Sequence, residues 1–519
     1  MPRRLLACVV ALASVAATVS VASGSLSSAV AHAATPRTHV ATAGAPANTG
    51  LSSWRACGAK LQCATLTVPV DYTQPQGEQL KVAVSRLRAT NPSQRLGSLV
   101  FNFGGPGDAG AETLPGFAAQ IPSEIRSRYD LVSFDPRGTG KSRPVECVDA
   151  ATQDRLNAVD PTPNSDADLR AFYDSTNEPV DIIARCVARN GTWLAHVGTR
   201  NVARDLDRLR AALGDPQLSF IGYSYGTVIG AVYAQMFPDR VGRMVLDSPV
   251  DLSADALEEL RGNSQGFEQA LDNFLADCAA NRKCSFHSDG DPTTALKTLQ
   301  QRFEQGLQLP TRNLNTGKKS NRVAGVAAFY TALISALYDR QYGWPDLADA
   351  LTDARNGDGS YLLELADLYN GRRDNGTYDN INEVIGVILC DDRDDPVPSF
   401  ADYQAEYERE VAQYPLLGRL VGSTLLGCDP RLPKPPASEQ VGDVRVANTA
   451  PILVVGTTHD PATPFVGAQD LVGRLAGSRL LTFDSTEHTA YTKNACIDRA
   501  VDGYLLRHRL PSDGKVCRA

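Results

Sequence analysis

The stretch Ser219 to Ala234, SFIGYSYGTVIGAVYA, constrains the fold more than any other part of the chain. A short apolar run, Leu218 to Ile221, leads into Gly222-Tyr223-Ser224-Tyr225-Gly226, and small and apolar residues at helical spacing follow. A strand, a serine turn and a helix are the setting of a nucleophile elbow. That turn forces the serine into a strained backbone conformation and exposes its hydroxyl above the sheet. The two glycines follow from the same geometry, because a Cβ at either position would strike the adjacent strand or helix. Ser224 is the candidate nucleophile; the plainer reading is an ordinary tight turn.

Other short apolar runs surround this one. Leu80 to Leu87 alternates as a half-buried strand does. Ser98 to Phe103, Leu131 to Phe134, Arg243 to Leu246, Pro451 to Val455 and Arg479 to Phe483 read as further strands, the first two as buried ones. Asn201 to Leu213 carries Val202, Leu206, Leu209 and Leu213 on one helical face and stops at Gly214. Strands alternating with helices predict an α/β fold, with a mostly parallel sheet covered on both faces. The alternation fails between residues 252 and 442. Helical patterns dominate there (Ala254 to Leu260, Phe267 to Cys278, Val323 to Tyr338, Asp346 to Leu368) and no strand series is evident. The expected layout is a core over 51–251, an inserted helical cap over 252–442 and a second core segment over 443–519.

The first 33 residues have the form of a secretory signal peptide. Arg3 and Arg4 precede an apolar run from Leu5 to Val21, and Ala31-His32-Ala33 offers a small-x-small cleavage site. Residues 34–50, rich in Ala, Thr, Pro, Gly and Asn, read as a flexible leader or propeptide. The chain has 11 cysteines, and loss of Cys8 with the signal leaves 11 − 1 = 10. An even count in an exported chain favours disulfides. Pairing in chain order gives 57/63, 147/186, 278/284, 390/428 and 496/517, although spacing alone does not fix connectivity. Zinc would need Cys-x-x-Cys or histidine clusters, which the sequence lacks, so no metal or other cofactor is expected. A net charge of −8 disfavours nucleic acid or anionic membrane as a partner. No later segment is apolar for long enough to span a bilayer. Oligomeric state is left open.

A serine nucleophile needs a base and an acid. In the chain order Ser, acid, His, the base follows the last strand, where His488 stands five residues after Phe483. His39, His196, His287, His459 and His508 fit that place less well. The acid follows the preceding strand, which points to Asp460 over Asp484, a turn residue close to His488 on the same loop. Oxyanion donors are expected from the backbone N–H of Tyr225 and from Gly105, in the loop Gly104-Gly105-Pro106-Gly107-Asp108-Ala109-Gly110. The turn Asp135-Pro136-Arg137-Gly138-Thr139-Gly140-Lys141-Ser142 reads as a structural brace, with a direct substrate role as the alternative.

Together with Leu206 to Arg210 and Val245-Leu246-Asp247, these motifs resemble the α/β-hydrolase fold. More narrowly, the chain from about Trp54 to its end resembles secreted bacterial tripeptidyl aminopeptidases, relatives of prolyl aminopeptidases. The likeness is specific in the two core segments and weak in the cap. It implies a metal-free serine exopeptidase that releases short peptides from free N-termini after export. Three positions depart from the common pattern: Phe103 stands where His is usual, Asp108-Ala109-Gly110 where Gly-Ser-Gly is frequent, and Glu487 precedes His488 in place of Gly. Acidic side chains of the cap would bind the substrate ammonium. Glu258, Glu259, Asp391, Asp392 and Asp395 are available, each also readable as a solvated surface charge. A secreted carboxylesterase or lipase on the same machinery is the alternative function.

Overall fold

The computed structural model describes residues 50–174, 180–424 and 427–519. The expected signal peptide and nearly all of the leader lie outside the described residues. Ten strands make one sheet: β1 (Arg55–Ala56), β2 (Leu61–Pro69), β3 (Gln79–Leu87), β4 (Gly97–Asn102), β5 (Tyr129–Phe134), β6 (Leu218–Tyr223), β7 (Val241–Asp247), β10 (Leu453–Thr457), β11 (Arg479–Asp484) and β12 (Val516–Arg518). Two more, β8 (Leu309–Arg312) and β9 (Lys319–Ala324), pair as a separate hairpin. The sheet order is β1-β2-β3-β5-β4-β6-β7-β10-β11-β12. Pairing is antiparallel from β1 through β3 to β5 and parallel from there to β12.

The sequence pattern explains this order. Every residue of β4 and β5 is buried, because helices cover both faces of the parallel region, so an unbroken apolar run is what such a strand needs. In β3, Leu80, Val82 and Val84 are buried and alternate with residues that are not. In a parallel sheet the loops at the carboxyl ends of the strands gather at one edge. The loops after β4, β6, β7, β10 and β11 begin at Phe103, Ser224, Ser248, Thr458 and Ser485, and all the candidate site residues lie on them.

The chain between β7 and β10 is largely helical, but it holds the β8–β9 hairpin, where only helices and loops are expected. Val323 accordingly belongs to a strand, and the following helix is Val326–Leu337. Ala256–Ala280 is one long helix instead of two, while 346–368 divides into Gly343–Arg355 and Ser360–Tyr369. Phe267, Phe274, Phe329, Leu333, Leu351 and Leu417 are among the residues of this region's own apolar core. Helix Ile381–Asp392 is different: Val384, Val387 and Ile388 pack into the main core beside Val145, Val197 and Val202.

The turn after β5 braces the molecule. Arg137 is fully buried and its guanidinium makes five hydrogen bonds: two to Asp205 (2.7 and 2.8 Å) and one each to Pro69 O, Val70 O and His196 O. That uses every donor the side chain has. Asp135 accepts from Ala111 N–H and Lys141 N–H, both at 2.9 Å. Five disulfides join Cys57–Cys63, Cys147–Cys186, Cys278–Cys284, Cys390–Cys428 and Cys496–Cys517, the chain-order pairing.

Candidate active site

Ser224 has φ +53°, in the left-handed region that side-chain-bearing residues avoid, between β6 and helix Gly226–Met236. A Cβ on Gly222 would lie 2.3 Å from Gly226 O, and one on Gly226 would lie 2.7 Å from Asn102 Oδ1. Each glycine therefore admits contact between main chains, one with the helix and one with the strand. The loop after β4 lies against the same turn: a Cβ on Gly104 would be 3.0 Å from the Ser224 Cβ. Gly104 and Gly105 have φ near +98° (+97° and +99°), so the loop is built for residues without side chains. Among the described residues, neither Tyr225 N–H nor Gly105 N–H donates a hydrogen bond to the protein.

His488 Nδ1 lies 2.8 Å from Asp460 Oδ1, and both side chains are buried. Asp460 Oδ1 also accepts from Ala462 N–H (3.0 Å) and Thr463 N–H (2.9 Å). Burial works to raise the Asp460 pKa, but His488 and the Thr463 N–H outweigh it and hold the carboxyl below its ordinary value. An ionised Asp460 fixes the proton on Nδ1 and leaves Nε2 as the accepting nitrogen. The rivals are elsewhere: His459 is exposed, His287 bonds Cys278 O inside the insertion, and Asp484 faces Thr458 and Arg518.

Two residues at the end of β7 tie these parts together, and the sequence reading gave them no role. Asp247 O accepts from Ser224 N–H at 2.9 Å. The Asp247 carboxylate accepts from Ala490 N–H (3.1 Å) and Tyr491 N–H (2.8 Å), directly after the histidine. Ser248 Oγ accepts from Thr489 N–H at 2.9 Å, and Ser248 N–H donates to Val455 O of β10. The available signal was a carboxylate closing the apolar run Met244-Val245-Leu246. Burial pushes the Asp247 pKa up to about 6, against the pull of its backbone donors.

The insertion carboxylates divide. Glu258 is exposed and completes a capping box with Asp255; Glu259 and Asp395 both pair with Arg393 (2.9 and 3.1 Å). Asp391 and Asp392 are not solvated charges. They are 1% and 4% exposed. Asp391 accepts from Val197 and Gly198 N–H, and Asp392 from Thr199 N–H and the hydroxyl of Tyr225. Burial pushes Asp391 up to about 8, helped by its neighbour Asp392, which itself rises to about 6. The sequence departures also have places. Phe103 stacks on Tyr223 with ring centroids 6.1 Å apart, Asp108 accepts from the Thr113 hydroxyl at 3.0 Å, and Glu487 is buried beside Lys493. Among the described residues no group of three or more His, Cys, Asp or Glu is placed to hold a metal.

The chain belongs to the α/β-hydrolase fold family, whose match spans residues 97–495, and it is a serine hydrolase. Its curated relatives narrow the class. Serine protease Hip1 of Mycobacterium tuberculosis is 38% identical, over 88% of this chain and 87% of the relative. Carboxylesterase B of the same organism is 35% identical over 92% of both chains. The tripeptidyl aminopeptidase of Streptomyces lividans is 33% identical over 89% of this chain and 86% of its own length. The resemblance to tripeptidyl aminopeptidases thus extends across nearly the whole chain.

Proposed function

We propose that this protein is an exported serine exopeptidase that releases short peptides, tripeptides among them, from free N-termini. Ser224 attacks the scissile carbonyl. His488 takes the serine proton at Nε2 and passes it to the departing amine, while Asp460 stays ionised and holds the ring. Tyr225 N–H and Gly105 N–H donate to the oxyanion, each worth about 3 kcal/mol of transition-state stabilisation. Water then resolves the acyl-enzyme by the same route in reverse.

The observation that carries this reading is the buried His488–Asp460 pair together with an elbow serine at positive φ, the serine N–H and the histidine loop both bonding to Asp247. Two named peptidases among the relatives favour an amide substrate. The insertion touches the histidine loop directly, through Tyr338 O and His488 N–H at 3.0 Å. Five disulfides suit an oxidising compartment. Among the described residues no helix is long and apolar enough to cross a membrane.

The test compares a tripeptide anilide with a free amino end, its acetylated form and a short-chain aryl ester, on the protein and on Ser224→Ala. Cleavage of the free peptide alone, lost in the variant, is expected. Turnover of the ester with neither peptide cleaved would move the function to carboxylesterase, the reading favoured by the esterase relative.

A further inference from the structure

We propose that Lys493 is a positioning residue that fastens the His488 backbone to the insertion, so that the seating of the insertion on the core sets the place of the imidazole. The proposal rests on the reading of His488 as the general base. Lys493 Nζ donates to His488 O at 3.0 Å and pairs with Asp339 Oδ2 at 3.1 Å and Glu487 Oε2 at 3.5 Å. Three ammonium protons meet three acceptors. Burial alone would pull the ammonium's pKa down, but Asp339 and Glu487 hold it up, so the lysine stays charged.

Asp339 belongs to the insertion, two residues past helix Val326–Leu337. Its neighbours reach the same loop. Tyr338 O accepts from His488 N–H, the Tyr338 ring stands edge-on to the imidazole with centroids 5.2 Å apart, and Arg340 N–H donates to Glu487 Oε2 at 3.2 Å. Three consecutive insertion residues thus contact Glu487, His488 and Lys493. The His488 N–H is held by the insertion itself, and its carbonyl by a lysine paired to the insertion. This also gives Glu487, unusual before the histidine, a task.

The local backbone shows why such a tether is needed. Thr489 and Thr492 have φ +69° and +77°. A β-branched residue in that region is strained and persists only where its surroundings over-determine it. Asp247 and Ser248 restrain residues 489–491 from the core side, and Lys493 restrains the loop from the insertion side.

The test measures kcat and KM on the free tripeptide anilide for Lys493→Met, Lys493→Arg, Asp339→Asn, the Lys493→Met/Asp339→Asn double variant and His488→Ala. Lys493→Met should lower kcat about 10- to 100-fold with KM within about twofold, the scale of a small misplacement of a catalytic group. Lys493→Arg should recover most of the loss. Asp339→Asn should lose part of kcat alone and add nothing on top of Lys493→Met. If Lys493→Met does not fold, Asp339→Asn and Lys493→Arg carry the decision, with the same kcat-only loss and recovery expected. A lowered melting temperature with kcat unchanged in the lysine and aspartate variants would overturn the proposal. Full activity in His488→Ala would instead remove the base assignment on which it stands.

Discussion

The elbow and the histidine loop both bond to Asp247 at the end of β7, and beyond that they are held by different means. The elbow is fixed by steric exclusion between main chains close in sequence: Gly222 against Gly226, with Gly226 and Gly104 completing the contact from the side of β4. The histidine loop has no such local rule. Its backbone is held by Asp247 and Ser248, more than 240 residues earlier, and by Tyr338, Asp339 and Arg340 of the insertion. In the first half of the site, five consecutive residues write the turn that carries Ser224, and the loop after β4 packs against it. The second half exists only when three distant segments are assembled.

The largest effects should come from the reacting groups on both sides. Ser224→Ala and His488→Ala are each expected to lower kcat on the free peptide by about 10⁴-fold or more while melting stays near the parent's. A variant of either kind retaining a tenth of the activity would break the pairing of the two halves. Next is the elbow's sterics. Gly222→Ala places a Cβ 2.3 Å from a main-chain oxygen that no side-chain rotation relieves, so a loss of about 3 kcal/mol or more, or no soluble protein, is expected. Gly473→Ala is the control: nothing lies within 4 Å of the added Cβ and the position is helical, so chemical denaturation should show little change or a slight gain.

Asp247→Asn tests the tie between the halves. The amide oxygen still accepts from the loop, but the carboxylate's second oxygen is lost as an acceptor. Stability should fall by about 1–3 kcal/mol, with a lower kcat and an unchanged KM. A change in KM alone would place Asp247 at the substrate instead. The smallest effect is a pH slope. Asp391 titrates at about 8 in the folded chain, above the ordinary value of 3.8, because it is buried beside Asp392. A raised carboxyl contributes stability in full below about 4, and that contribution is lost as pH rises through 8. Between pH 6 and pH 8 the melting temperature of Asp391→Asn should therefore fall less than the parent's. Parallel slopes would show that this carboxyl holds no proton.

These contrasts follow what the sequence made legible. The parallel strands read well because two-sided burial writes an unbroken apolar run, and the elbow read well because glycine is obligatory there. The β8–β9 hairpin did not, since KSNRVA buries only its last residue and carries no apolar alternation. The long helix Ala256–Ala280 reads as two stretches, Ala254 to Leu260 and Phe267 to Cys278, and Gly262 and Gly266, which lower helix propensity, lie between them. Gly266 is there for contact: its Cβ would lie 2.5 Å from Pro461 O, beside the candidate acid. Asp391 and Asp392 were legible as charges but not as buried ones, because their partners Val197, Gly198 and Thr199 lie almost 200 residues away. The triad candidates could be placed by chain order; the residues that hold them could not.

The disulfide pattern has a consequence for how the chain is oxidised. Each of the five bridges joins cysteines that are neighbours along the sequence, so no bridged segment contains another bridge's cysteine. From Cys57 on, a polypeptide emerging from its N-terminal end can close each bond as soon as the second thiol appears, before the next thiol has arrived. No bond formed in that order has to be reopened, and no stretch has to be threaded through a ring already shut. For the ten cysteines from Cys57 on, oxidation in order of emergence and the native pairing are the same thing.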